Sequence, residues 1–400
     1  MLTYNSPIDR IYQYLLISAF FLLPITVIGN NIAIWVTVLI WLFSGDYVKK
    51  FLQIKRNKFA LSSILFFLIH LLGLFWTHDI HWGLEISRKM LPFLLVLPIF
   101  LTITKMQNIK LYILAFLVAL VFSEILSYLI WLGIVEPFGS ATLYNPTPLM
   151  SHISYNPFLA LGIYLALYHL FSKKNISLLE RVIYTFFALS MSFNMFITGG
   201  RAGQVIFFVF LALLAFQFFK QNQIKAVIIS MFLSIFILTI AFNYSPIFKN
   251  RALTAINDVK VYDQFKLTSI GLRYTFFINS ISIVKENPFF GVGTGDFPAE
   301  YSKASNILTP GVTLTVQPHN MYLLILVQLG FLGFASFMLM FYYQFQIAVR
   351  SNNQLIKDVG VAIPILFLVI MWSDSYLLGH FTGNLFVLFS SVIYGVQEEL

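Results

Sequence analysis

The chain has 400 residues, of which 59% are hydrophobic and 10% charged, and its mean hydropathy is +0.83. Soluble domains carry about 25% charged residues, so this composition excludes a water-soluble globular protein and indicates a polytopic membrane protein. The formal charge of +9 does not indicate a nucleic-acid partner, because the basic residues are scattered in short segments between apolar stretches.

Apolar stretches of about 17 residues or more predict twelve transmembrane helices. The first of them has no small-residue cleavage site, so we expect it to remain as a signal anchor. The predicted spans lie at residues 11–28, 31–45, 59–76, 89–104, 111–133, 157–172, 182–198, 203–219, 226–242, 320–345, 359–374 and 382–397. The expected fold is therefore all-α, with residues 1–400 forming a single integral-membrane domain.

The distribution of Lys and Arg predicts the orientation of these helices. With the N-terminus in the cytoplasm, 15 of the 25 basic residues fall on the cytoplasmic side, and the short loops of the other side hold only Arg88, Lys89 and Arg201. Because Lys and Arg accumulate in cytoplasmic loops, we expect both termini in the cytoplasm of a bacterium. Residues 243–319 then form one long periplasmic loop between helices 9 and 10 of the inner membrane.

The long loop contains a predicted amphipathic helix, in the segment "LRYTFFINSISIVKENP". Phe276 and Phe277 recur with other apolar residues at helical spacing, opposite Arg273 and Asn279, which suits a helix on the membrane surface. Asn287-Pro288 ends that helix. The following "FFGVGTGDF" predicts a glycine-rich turn and not a nucleotide site, because no strand precedes it and its spacing differs from G-x-G-x-x-G.

A glycine-rich turn is also predicted around Arg201, in "FITGGRAGQVIFF". Glycines let the backbone turn tightly and let another group approach closely. A guanidinium at the outer membrane surface is suited to phosphate, although an arginine of this kind can also contact lipid head groups. The positive-inside rule argues against an idle Arg at this position and favours a functional one.

Four further residues on the outer side are candidate site residues. His319 follows Pro318 and precedes Asn320, which can cap the next helix, and its imidazole can accept a proton near neutral pH. Arg273 lies on the polar face of the loop helix. Arg88 and Lys89 are two cations at the predicted outer mouth of the fourth span. Several cations and one general base suit transfer from a lipid-linked phosphate or diphosphate, in which arginines neutralise the leaving group.

The periplasm holds no nucleotide sugar, so the energy for transfer must arrive in the donor, as in a polyprenyl diphosphate sugar. Other polar residues have weaker functional interpretations. Glu124 in the fifth span is either neutral, paired inside the bundle or part of a proton relay. His78, Asp79 and His81 could suggest a metal, but their spacing matches no closed site. We therefore expect neither a metal nor a cofactor.

The ordered motifs "TGGRAG", "LRYTFF", "NPFFGVGTGDF" and "PHNMYLLILVQLGFLGF" resemble those of the O-antigen ligase and polymerase superfamily, most densely over residues 190–340. The resemblance implies an inner-membrane glycosyltransferase with an undecaprenyl-diphosphate-linked glycan as donor and, in the ligases, lipid A core as acceptor. It implies that His319 is the catalytic base and that Arg201 and Arg273 bind the diphosphate, with Arg88 or Lys89 near that site. It also implies metal-independent transfer with inversion at the anomeric carbon.

Gly200 stands where a serine is frequent in this superfamily, which leaves the orientation of Arg201 open. The superfamily includes polymerases that join repeat units, and the single large loop before His319 favours a ligase. A secondary transporter is the alternative from another class, because twelve spans are common in transporters. That alternative predicts polar residues at the midplane, where Glu124 is the candidate, whereas the cations cluster at the outer rim.

Overall fold

A computed structural model describes residues 7–142, 144–173, 175–260, 269–312 and 314–395, and their regular secondary structure is helical. The predicted all-α class is confirmed. The helices are α1 (Pro7–Leu22), α2 (Val27–Phe43), α3 (Tyr47–Arg56), α4 (Lys58–Leu72), α5 (Ile80–Leu94), α6 (Val96–Ile103), α7 (Ile109–Trp131), α8 (His152–Ser172), α9 (Leu178–Ile197), α10 (Arg201–Phe218), α11 (Gln223–Tyr244), α12 (Pro246–Lys260), α13 (Ser269–Glu286), α14 (Phe297–Leu308), α15 (Met321–Arg350), α16 (Gln354–Ile370) and α17 (His380–Tyr394).

Six helical segments among the described residues are long and apolar enough to cross a membrane. These are Lys58–Phe75, Ile80–Ile103, Met106–Trp131, Arg201–Phe218, Gln223–Tyr244 and Met321–Arg350. Two shorter helices, α2 and α17, are also apolar. A multi-pass membrane protein is therefore supported, while the count of twelve crossings and the periplasmic side of the long loop stay predictions.

The helices group into two compact units, and the first comprises residues 1–37 and 107–253. In it α8 packs against both α9 and α10, and α1 packs against α7. Side chains such as Phe116 and Phe158 are fully buried between these helices. Several polar groups inside this unit are paired, as where Asn108 Nδ2 donates to Gln13 Oε1 at 2.9 Å. Such pairing is needed because an unpaired polar group in an apolar interior is costly.

The second unit comprises residues 38–106 and 254–400, and its central helix is α15, which packs against α4 and α16. This helix is broken at Gly330, whose φ of 61° and ψ of −158° are not helical. The break leaves backbone N–H groups without partners inside the helix, and carbonyl groups of the segment that follows α13 accept hydrogen bonds from them. Phe331 N donates to Pro288 O at 2.8 Å, and Leu332 N donates to Phe289 O at 3.2 Å.

The predicted glycine-rich turn supplies the rest of this docking. Val292 N and Gly293 N donate to the carbonyl oxygens of Val327 and Gln328, each at 2.9 Å. A Cβ on Gly291 would lie 2.4 Å from the backbone of Gln328, so only glycine allows this approach. The turn therefore completes the hydrogen bonding of a broken membrane helix, which is a structural role rather than a nucleotide site.

Asp296 anchors the end of the glycine-rich turn to residues 77–79. Its buried carboxylate accepts from the backbone N–H groups of His78 and Asp79, at 2.9 and 2.8 Å, and from Thr77 Oγ1 at 3.2 Å. Burial raises the pKa of Asp296, but the hydrogen bonds from the N–H groups of Asp79 and His78 and from the side chains of His78 and Thr77 together lower the pKa below its usual range.

The structure differs from the sequence predictions at several helix boundaries. The fourth span was expected to begin at residue 89, whereas α5 begins at Ile80, capped by Asp79, so Arg88 and Lys89 lie inside a helix. The short basic helix α3 was not predicted. In the long loop, α13 ends immediately before Asn287 as expected, but the predicted faces are partly wrong: Asn279 is buried, and Phe277 is exposed.

The reason for the reversed face lies in α14, which packs against α13. Asn279 Nδ2 donates to Tyr301 Oη at 3.1 Å and to Thr309 Oγ1 at 2.8 Å. The amide nitrogen of Asn279 is thus paired inside the packed helices. Periodicity within one helix cannot reveal polar partners that another helix supplies.

Candidate active site

His319 lies immediately before α15, whose start is fixed by Asn320. The Asn320 side chain accepts from Leu323 N at 3.1 Å, which confirms the predicted N-cap. His319 itself has a φ of 48°, and Asp46 is the other non-glycine residue with a positive φ in the described part of the chain. Left-handed backbone at a non-glycine residue costs energy and is found disproportionately at functional sites.

The imidazole of His319 is paired with a carboxylate that the sequence analysis did not single out. His319 Nδ1 lies 3.1 Å from Asp374 Oδ1, and the two side chains are 36% and 18% exposed. With its proton on Nδ1, the ring donates to Asp374 and leaves the Nε2 lone pair available to accept a proton. A partner carboxylate fixes both the tautomer and the orientation of such a base.

His319 and Asp374 meet because the start of α15 runs beside the end of α16. Met321 N donates to Met371 O at 3.0 Å, and Tyr322 Oη donates to Leu368 O at 2.5 Å. Asn320 Nδ2 adds a 3.3 Å bond to Trp372 O. Residues just before α15 and just after α16 therefore lie at the same end of an antiparallel pair.

The helix α13 brings an arginine and an aromatic ring to the same place. The Phe276 ring stacks on the imidazole of His319, with centroids 5.8 Å apart and planes inclined by 25°. Arg273, one helical turn earlier on α13, is exposed. Burial raises the pKa of Tyr376 well above its usual range; Asp374 raises it further, and Arg273 lowers it. Because Phe276 contacts His319 and Arg273 lies one helical turn from Phe276, the second unit holds two of the predicted site residues, His319 and Arg273, on packed elements.

Arg201 lies in the first unit, as the first residue of α10. The turn before it is held by Asn156, which is fully buried: Asn156 Nδ2 donates to Gly200 O at 3.1 Å, and Asn156 Oδ1 accepts from Thr198 Oγ1 at 2.7 Å. A Cβ on Gly203 would lie 2.3 Å from Asn156. The group that approaches these glycines closely, as predicted, is therefore the backbone and Asn156 side chain of α8. Arg201 and the first N–H groups of α10 together form a positive end suited to an anion.

Arg88 and Lys89 are not at the mouth of a helix, and both are paired with Glu85. Arg88 donates to the Glu85 carboxylate from Nη2 at 2.8 Å and from Nε at 3.0 Å, and Lys89 Nζ lies 3.7 Å from Glu85 Oε1. An adjacent carboxylate reduces the pull of these cations on a second anion. Their binding of a diphosphate stays a prediction.

Two other polar groups of the sequence analysis have structural partners. His78 Nδ1 lies 2.9 Å from Asp296 Oδ2, and no cluster of three or more potential metal ligands occurs among the residues that the structure describes. Glu124 is buried in α7 and accepts from Ser190 Oγ at 2.5 Å. The carboxyl group is thus paired inside the helix bundle.

Asp374 could have been found from the sequence by following the predicted topology. It lies two crossings after His319 in "MWSDSYLLGH", on the same predicted side, where a helical hairpin brings the two residues together. Asn156 gave no such signal, because an Asn inside an apolar helix is ordinarily a packed polar residue. The contact of Phe276 with His319 depends on how α13 lies against α15, which the sequence pattern does not fix.

The second unit thus combines membrane-length helices with a His–Asp pair, and it also holds Arg273. Residues 186–338 match the family described as O-antigen ligase, which confirms the resemblance of the motifs in this part of the chain to that superfamily. The match supports a membrane enzyme of the glycosyltransferase type that acts on glycan-lipid substrates. The matched residues include Arg201, Arg273 and His319, and Asp374 lies beyond them. Among curated proteins, none matches the chain significantly.

Proposed function

We propose that the chain is an O-antigen ligase of the bacterial inner membrane. It transfers a glycan from undecaprenyl diphosphate to lipid A core at the periplasmic face, without a metal ion and with inversion at the anomeric carbon. The observation that carries this proposal is the His319–Asp374 pair on the unit that also holds Arg273. The family match over residues 186–338 supports the class of reaction.

In the proposed reaction, His319 Nε2 accepts the proton of an acceptor hydroxyl. The hydroxyl oxygen attacks the anomeric carbon from the face opposite the diphosphate, and the bond from that carbon to the diphosphate oxygen breaks. The electron pair of this bond leaves with undecaprenyl diphosphate. The proton on His319 is later released to water, so the base is regenerated. A correctly placed general base contributes about 10²- to 10⁴-fold to such a step.

The cations have the complementary role of neutralising the leaving group. Arg273 is exposed on α13 near the base, and Arg201 stands at the positive end of α10, so each can donate a planar pair of N–H groups to phosphate oxygens. Arg88 and Lys89 would contribute less, because Glu85 already pairs with them. Donors already in place where negative charge develops lower the barrier without reorganising during the reaction.

Asp374 supports His319 in two ways. It holds the Nδ1 proton, which keeps Nε2 as the acceptor, and its negative charge stabilises the imidazolium that forms when His319 takes a proton. Phe276 covers one face of the ring and restricts its rotation. Both are positioning residues in this scheme.

The proposal is tested by reconstituting the purified protein in proteoliposomes with an undecaprenyl-diphosphate glycan and a lipid A core acceptor. We expect glycan joined to core with wild type, and loss of transfer with His319→Ala and with Arg201→Ala. His81→Ala, which removes another exposed histidine, serves as the matched control and keeps the normal rate.

Three other outcomes contradict the proposal. Longer lipid-linked chains in place of glycan joined to core identify a repeat-unit polymerase. Movement of solute without transfer identifies a transporter. Normal transfer by His319→Ala shows that the base has been assigned to the wrong residue.

A further inference from the structure

The short helix α3 (Tyr47–Arg56) lies in the chain between the apolar helix α2 and the membrane-length segment that begins at Lys58. None of its residues is buried in the protein. A helix that begins so close to a membrane-length segment is placed at the level of the lipid head groups. The surroundings of α3 are therefore set by the membrane surface more than by the protein core.

Apolar side chains of α3 are exposed on one side of the helix. Val48, Phe51 and Leu52 are 77%, 60% and 44% exposed, and their sequence spacing places them within one arc at 100° per residue. Lys49, Gln53 and Arg56 occupy the neighbouring polar arc, and Lys55 extends from within the apolar arc, where its long aliphatic stem can lie along acyl chains with the charge at the head groups. This division matches that of helices that lie in the membrane interface with the apolar side towards the acyl chains.

The charge of α3 has one sign. The helix contains Lys49, Lys50, Lys55 and Arg56, with Lys58 two residues further on and no acidic residue between Tyr47 and Lys58. Lys50 is held by the protein: its Nζ donates to Ser44 Oγ at 2.5 Å and lies 4.9 Å from the centre of the Trp41 ring. The other four cations are exposed and form no ion pair with a described residue.

We propose that α3 is a binding site for anionic phospholipids. Val48, Phe51 and Leu52 enter the boundary of the acyl chains, while Lys49 and Arg56 contact the phosphates of neighbouring head groups. Charge complementarity identifies the ligand, because a zwitterionic head group offers no net charge to several unpaired cations. Trp41 anchors the same end of the unit, through the bond from its Nε1 to Thr102 Oγ1 at 2.9 Å.

The test counts lipids that remain bound to the full-length protein, by native mass spectrometry after extraction from vesicles of equal phosphatidylglycerol and phosphatidylcholine. We expect phosphatidylglycerol to be enriched on the wild type. Each cation removed lowers the affinity by about fivefold at low salt, so Lys49→Gln/Arg56→Gln reduces the enrichment by about 25-fold. The charge-conserving variant Lys49→Arg/Arg56→Lys retains it.

The matched control is Lys110→Gln/Lys285→Gln, which removes two exposed cations that do not belong to α3 and keeps the enrichment. Thermal unfolding of each variant checks that the fold is intact, which we expect because the substituted residues are exposed. Equal retention of the two lipids by wild type, undiminished enrichment in the α3 variant, or an equal loss in the control would each overturn the proposal.

Discussion

Replacing Asp374 tests whether a carboxylate orients the catalytic base. The hydrogen bond from His319 Nδ1 to Asp374 Oδ1 spans 3.1 Å and joins a ring to a charged group. Hydrogen bonds to charged groups contribute about 1.5 to 3 kcal/mol. Because the two side chains remain 36% and 18% exposed, the lower part of that range applies. At about 1.4 kcal/mol per factor of ten, Asp374→Ala should lower kcat/KM by about 10- to 30-fold.

Asp374→Asn separates the charge from the hydrogen bond. Its amide oxygen can still accept from Nδ1, so a neutral bond of about 0.5 to 1.5 kcal/mol remains and kcat/KM should fall by only about fivefold. His319→Ala removes the base and should cost about 10²- to 10⁴-fold. The expected order of rates is therefore wild type, Asp374→Asn, Asp374→Ala and His319→Ala.

The assay is the initial rate of glycan transfer in proteoliposomes, with protein amounts matched by folded fraction. The double variant His319→Ala/Asp374→Ala distinguishes positioning from a structural role. If Asp374 acts through His319, the double variant should equal His319→Ala within about twofold, because nothing remains to orient. Full additivity of the two losses would refute the reasoning, as would a wild-type rate for Asp374→Ala.

Three further predictions concern stability, each measured by thermal unfolding. Asn156→Ala leaves the Thr198 hydroxyl and the Gly200 carbonyl without the Asn156 side chain, so we expect a loss of about 1 to 3 kcal/mol. Gly330→Ala places a Cβ 2.4 Å from the backbone of Phe289 and adds about 1 to 3 kcal/mol of strain, because φ 61° and ψ −158° lie in a region that essentially only glycine adopts, so the loss should exceed the strain alone. The pKa of Asp296 is lower in the folded protein than its ordinary value of 3.8. Ionised Asp296 therefore stabilises the fold fully above pH 3.8, and this stabilisation is lost as the pH falls from 3.8 through the lower pKa of the folded protein. Asp296→Asn should remove this pH dependence.

Each of these predictions has a control. Gly45→Ala introduces a Cβ at a φ of 72° with nothing within 4 Å, so its loss of stability reflects the strain of a positive φ without a steric clash. Equal losses of stability for Gly45→Ala and Gly330→Ala would contradict the clash at Gly330. For Asn156, Asn353→Ala removes a helix cap outside the Arg201 turn and should lower stability by about 0.5 to 2 kcal/mol, and no loss of stability in Asn156→Ala would contradict the role of its buried hydrogen bonds. For Asp296, an unaltered unfolding profile between pH 5 and about 3 in Asp296→Asn would show that other carboxyl groups dominate acid unfolding.

The features that follow from local chemistry were predictable from the sequence. Apolar stretches identified most helices, Asn287-Pro288 marked the end of α13, and Asn320 was recognised as the cap of α15. These signals depend only on residues near one another in the chain. The start of α5 was missed because Arg88 and Lys89 lower the local hydropathy, although their pairing with Glu85 makes them acceptable inside a helix.

The candidate site was predictable only in part. His319, Arg201 and Arg273 stand in distinctive motifs, but their partners depend on contacts across the fold. Asp374 pairs with His319 from 55 positions away, and Asn156 reaches the carbonyl of Gly200 from 44 positions away. Such pairs depend on how the helices pack, and the pattern of one sequence does not reveal that packing.

The broken helix α15 has a mechanical consequence. The segment between Pro288 and Gly293 is hydrogen-bonded to α15 on both sides of Gly330. It therefore stabilises the break and connects the part of α15 before Gly330 to the end of α13. His319 immediately precedes that part of α15, and Phe276 and Arg273 belong to α13. A tilt of either helix should therefore move the other with it. His319 and Arg273 would then keep their spacing while a bulky lipid-linked donor enters or leaves.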